Sequence, residues 1–143
     1  MLATGAAVVV ALGVVNFWGD LAWFFRSDSV RIQGKWRLVW VTENGETHTF
    51  PFLFIAPRCT LEEKTMTVDD GGMLLVNTYR IETAHRPKWF DIQQYSGQSK
   101  PGIYALDGNT LTICLNTEAG GARPATFNSK AGSRHDLFFF KRE

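Results

Sequence analysis

Gly102-Ile103-Tyr104-Ala105-Leu106-Asp107-Gly108-Asn109-Thr110-Leu111-Thr112-Ile113-Cys114 is the stretch whose reading decides the fold. Two apolar-rich runs flank Asp107-Gly108-Asn109. Asp-Gly is a strong hairpin signal, because a tight primed turn needs backbone angles that Gly and Asx tolerate. Beyond the turn, Leu111, Ile113 and Leu115 alternate with Thr110, Thr112 and Cys114. That two-residue period belongs to a strand with one buried face. The hairpin therefore predicts an antiparallel, all-β domain.

Outward from this hairpin the same grammar repeats. Residues 35–42 place Trp36, Leu38 and Trp40 on one face and Lys35, Arg37, Val39 and Val41 on the other. Asn44-Gly45 supplies a second hairpin turn. A strand is predicted over 47–55, with Pro51 demanding an edge position or a bulge because proline cannot donate to a ladder. Residues 56–64 read as irregular. Further strands are predicted over 65–69, 73–82, 88–95, 101–106, 110–116 and 134–142. Asp70-Gly71-Gly72 and residues 96–100 read as turns, and 117–130 as a loop anchored by Phe127. About eight short, regularly spaced strands imply a sandwich or an up-and-down barrel. An eight-stranded barrel holds either packed side chains or one small ligand.

The chain has 143 residues, 45% hydrophobic and 13% aromatic, with 11 Phe and 5 Trp. This is one domain's worth of sequence with enough apolar mass for a core. The net charge of +1, with basic residues scattered rather than clustered, argues against nucleic acid as a partner. Residues 1–28 form a separate hydrophobic N-terminal segment, expected to be helical, and 29–143 the barrel domain. Within the first, 2–15 carries no charge and the apolar character runs on to Phe25, broken by Asn16 and Asp20. Three readings stay open: a membrane anchor, an export signal, or a buried helix. No basic residue precedes the run, and Arg26, Arg31, Lys35 and Arg37 follow it, which under the positive-inside rule places the domain in the cytoplasm.

Gly34-Lys35-Trp36 opens the first strand with the Gly-x-Trp pattern of lipocalin-like barrels, and Arg142 stands where those barrels carry a basic residue crossing the tryptophan. Ile32–Trp36, the hairpin at 102–111, Ile113-Cys114, the run 122–127 and Lys141-Arg142-Glu143 together resemble a small lipocalin-like domain family abundant in planctomycete bacteria. The similarity spans about residues 30–143. It implies a lipocalin-like barrel closed by Gly34, Trp36 and Arg142, and a place at the cell envelope, membrane-anchored or exported. Ala105 and Asn109 depart from the acidic residues usual in that family. The family carries no characterised chemistry, so the resemblance speaks to fold.

Candidate chemistry is sparse. His48, His85 and His135 lie far apart with none of the spacing of a zinc site, and Asp69-Asp70-Gly71-Gly72 lacks the remaining oxygens of a calcium loop. No nucleophile elbow and no phosphate-binding glycine loop occur. No enzyme, cofactor or metal is therefore expected. Cys59 and Cys114 are either two buried thiols or, in an exported chain, one bridge worth about 4 kcal/mol over about 55 residues.

The interior remains. Alternation assigns Trp40, Phe52, Phe54, Tyr79, Trp89, Tyr104, Phe138 and Phe140 to the core or to a cavity, with Tyr104 or Arg80 as orienting polar groups. The expectation is a non-enzymatic barrel binding a small hydrophobic ligand, with the membrane as a partner through the N-terminal segment. The alternative is a solid barrel acting on a protein partner through its loops, 117–130 above all.

Overall fold

A computed structural model describes residues 25–52 and 55–143. The hydrophobic N-terminal segment up to residue 24, with its expected helix, and Phe54 lie outside the described residues. Among those described, no helix is long and apolar enough to cross a membrane. The chain divides into two units, Met1–Arg31 and Ile32–Glu143. Among its described residues the first holds a single helical turn, α1 (Asp28–Arg31). Its Val30 and Arg31 amides donate to the Ser27 carbonyl.

The second unit is built from ten antiparallel strands: β1 (Gly34–Glu43), β2 (Glu46–Thr49), β3 (Arg58–Glu62), β4 (Thr65–Asp69), β5 (Leu74–Glu82), β6 (Lys88–Gln93), β7 (Ser99–Lys100), β8 (Gly102–Asp107), β9 (Thr110–Asn116) and β10 (His135–Arg142). Eight of them, all but β2 and β7, pair in sequence, and β10 returns to pair with β1. The result is a closed, all-β, eight-stranded barrel. Closure removes the unpaired edges that an open sheet exposes.

Two departures from the sequence reading have clear causes. The strand expected over 47–55 ends at Thr49, and a new one, β3, begins at Arg58 in the stretch read as irregular. Both lie on the same side of β1: β2 pairs with Trp40–Glu43 and β3 with Gly34–Arg37. One barrel position is thus filled by two strand pieces. The chain between them leaves after the Phe50 amide donates to Val39 and returns where the Leu38 amide meets the Pro57 carbonyl. Pro51 lies in this extruded piece, free of the ladder it cannot join.

The second departure is a β-bulge between Leu38 and Trp40, where β1 slips against β10. One extra residue reverses every later side chain. Trp36 and Leu38 point into the barrel, Trp40 points out, and Val41 points in again; Trp36, Leu38 and Val41 are buried. Trp40 stacks on outward-facing Phe139 with ring centres 5.2 Å apart.

Candidate functional site

One end of the barrel is solid. Trp36, Leu61, Phe90, Tyr104 and Leu111 fill it, each no more than 1% exposed, beneath a fully buried Ile32. The Trp36 indole donates to the Ile32 carbonyl at 2.8 Å. Arg142 lies 4.1 Å from the indole centre and donates to the Gln33 carbonyl at 2.8 Å. Gly34 is required beside them: a Cβ there would stand 2.7 Å from the guanidinium, and its φ of +129° suits glycine alone. Tyr79 stacks on Phe90 at 5.4 Å, and Phe90 meets Tyr104 edge-on at 6.2 Å.

Toward the other end the filling stops. A cavity of about 310 Å³ remains, bounded by Leu38, Cys59, Met66, Ile92, Ile113 and Phe138 among others. Its walls come from nearly every strand, and its surface is mainly apolar. The cavity opens where β4, β6 and β9 end and β5 and β10 begin. There Asn77, Gln94, Lys100, Asn116 and Asp136 form a polar mouth. Burial pushes the Asp136 carboxyl above its ordinary pKa, and the neighbouring Glu43 charge adds to this, while Lys100 and His135 pull the other way.

Cys59 faces this interior, and desolvation raises its thiol to about 12. Tyr79 is its neighbour and is likewise pushed up to about 12, first by burial and then by Cys59. Among the described residues the buried Tyr79 hydroxyl has no hydrogen-bond partner. Cys114 is on β9 beside the cavity residues Ile113 and Leu115, so its side chain points outward, where its thiol meets the Asn128 carbonyl at 3.4 Å. The two cysteines are free and buried on opposite sides of the barrel wall, a placement that rules out a bridge between them.

Of the eight residues assigned to the interior by alternation, Phe138 and Phe140 line the cavity, Tyr79 and Tyr104 belong to the packed region, and Phe52 is exposed because the strand expected there ends at Thr49. Trp40 is outside. So is Trp89: β6 turns Phe90 and Ile92 inward and leaves Trp89 and Asp91 on the outer face. There the Trp89 indole stacks with His85 at 3.4 Å and carries the Arg123 guanidinium at 4.0 Å. Arg123 also grips both oxygens of Asp91 and the Gly102 carbonyl. Arg80, named as an orienting group, lies on this same outer face with Glu82 and Asp91. Phe54 lies outside the described residues.

The expected loop at 117–130 is therefore strapped to the outer wall. Asn116 holds its start, donating to the Ala122 carbonyl at 2.8 Å and accepting from the Glu118 amide at 2.9 Å. Leu38, Cys59, Met66 and Ile113 were not singled out as cavity residues from sequence, nor Lys100 and Asp136 at its mouth. For Cys59 a signal existed in its alternation with Leu61. Among the described residues no cluster of His, Cys, Asp or Glu could hold a metal ion. No protein-family model, curated protein or solved structure matches this chain.

Proposed function

We propose that this protein is a non-enzymatic binding barrel that holds one small hydrophobic molecule in its half-open interior. The observation that carries this reading is the apolar cavity of about 310 Å³ with polar groups confined to its mouth. Ligand sites usually measure about 300–1,000 Å³ and combine an apolar lining with a few orienting polar groups. The volume is at the lower end, so the ligand class is a single ring system or a short acyl chain. Lys100 and Asp136 would meet its polar end.

Binding is favoured over catalysis by the state of Cys59. A thiol raised to about 12 stays protonated at neutral pH, and the thiolate is the nucleophile. The uncharged run at 2–15 and the resemblance to small lipocalin-like domains support a location at the cell envelope.

Native mass spectrometry of the protein from its own host tests the reading. A co-purifying small molecule is expected, together with its loss in Ile113→Phe, which fills the cavity. Protein that is free of bound molecules and fails to take up an apolar fluorescent reporter would refute the binding role and favour the loop-mediated interaction module.

A further inference from the structure

The rim around the cavity mouth is apolar in a way that the fold does not require. Met73, in the β4–β5 turn, and Leu74, Leu75 and Val76, which open β5, are four consecutive residues, each at least half exposed. Successive strand residues point to opposite faces, so the exposure falls on both faces of the β4–β5 hairpin. Its tip projects past the β5–β6 ladder, which starts at Thr78, with Leu75 on the cavity side. Tyr95, fully exposed on the β6–β7 turn, shares a groove with Val76. Phe52 and Ile55 are exposed in the extruded piece between β2 and β3. The register sets Arg58, Asp69 and Leu74 side by side on three neighbouring strands, so this piece and the hairpin leave the barrel next to each other.

We propose that this rim docks on a zwitterionic lipid bilayer, with the cavity mouth facing the membrane. The inference takes the cavity from the reading above as the reason for docking at this end, but the docking itself is independent of any ligand. Three observations choose the bilayer over a protein. First, the rim comprises seven large side chains, where a standard protein interface draws on about 20–30 residues a side. Second, the seven project from separate turns around an opening, a shape suited to a fluid surface and poorly suited to a flat partner. Third, residues 2–15 of the same chain are uncharged and apolar, of a kind that seeks lipid.

Charge selects the lipid. The hairpin tip carries Asp69 and Asp70, with the Gly71 amide donating to Asp69 at 2.9 Å, and Arg58, the basic residue set beside Asp69, forms an ion pair with Glu143. Two carboxylates at the headgroup level repel an anionic surface and tolerate choline. Phosphatidylcholine is therefore the surface that suits this rim.

The test uses the full chain with a cysteine introduced by Val76→Cys and labelled with an environment-sensitive fluorophore; buried Cys59 and Cys114 stay unlabelled in the native state. A second version carries the label at Asn109→Cys on the β8–β9 turn at the solid end. With phosphatidylcholine vesicles the probe at 76 is expected to shift to the blue and be quenched by spin-labelled lipid, and the probe at 109 to remain aqueous. Adding Leu74→Ser should cut the lipid-inserted fraction of the probe at 76 about tenfold, the change for partial withdrawal of one leucine from an apolar phase. The proposal is overturned if the probe at 76 stays aqueous on phosphatidylcholine, or if it inserts only into anionic vesicles. It is equally overturned if the probe shifts without vesicles in proportion to protein concentration, which marks a second copy. Failure to find a ligand leaves all of these readouts unchanged, so the two readings fail separately.

Discussion

The Arg142 guanidinium lies 4.1 Å from the centre of the Trp36 indole and so ties the last strand to the first. It acts beside a ladder that already pairs Trp36 with Arg142, and a guanidinium over an indole adds roughly 0.5–2 kcal/mol, more when desolvated. Arg142→Ala should therefore lose about 1–2 kcal/mol in urea unfolding. Gly34→Ala should lose about 1 kcal/mol or more from strain at positive φ. Because the added methyl also meets the guanidinium, the two losses should sum to more than the double variant shows.

Arg123→Ala should loosen the strap at 117–134. The side chain joins Asp91, the Gly102 carbonyl and the Trp89 indole at once. Removing it leaves a half-buried Asp91 with the more exposed Arg80 alone. A loss of about 1–3 kcal/mol is expected, and trypsin should cut at Lys130 and Arg134 in the variant faster than global unfolding allows. Equal cleavage of wild type and variant would show that Arg123 is not the clasp.

Alkali should unfold the barrel through Cys59 and Tyr79. Both groups have folded pKa values raised to about 12, from ordinary values of 9.0 and 10.0. In each case the folded state keeps the proton longer than the unfolded chain. Stability is thus fully present below the unfolded pKa and falls as pH rises toward the folded one, by up to about 1.4 kcal/mol per pH unit for each group. Urea midpoints should decline from about pH 9, and Cys59→Ala should remove the earlier part of that decline.

At the mouth, Asp136→Asn should stabilise the protein at pH 7. The carboxyl pKa is raised by burial and by Glu43, so its stabilising contribution is complete only below its ordinary pKa and is lost as the group ionises. Asparagine avoids the buried charge. The gain should be visible in thermal midpoints at pH 7 and should vanish in acid, where Asp136 is itself protonated.

The barrel was legible because turn chemistry and alternation coincide in most of its hairpins. Asn44-Gly45 and Gly108 all take positive φ, as the turn signals require. The β3–β4 hairpin was missed because its turn carries no such signal: Glu63 adopts φ +49°, a conformation that sequence preference assigns to Gly or Asn. Trp40 was misplaced because the bulge before it is a backbone event with no residue signature. Trp89 was misplaced for another reason. Alternation distinguishes two faces of a strand but not a core from an outer wall covered by a loop, and Arg123 reaches Asp91 from 32 residues away. The cavity was illegible on the same ground, since the residues that line it and the residues that fill the solid end share one pattern.

A vessel stopped at one end by Trp36, Phe90 and Tyr104 and open at the other is a cup, and a cup has no through-flow. On the binding role proposed above, an occupant would arrive and depart past Lys100 and Asp136, and a newcomer could not push in from behind. Exchange would wait for the previous occupant to leave. Residence time, rather than rate of arrival, would then govern how fast the contents turn over.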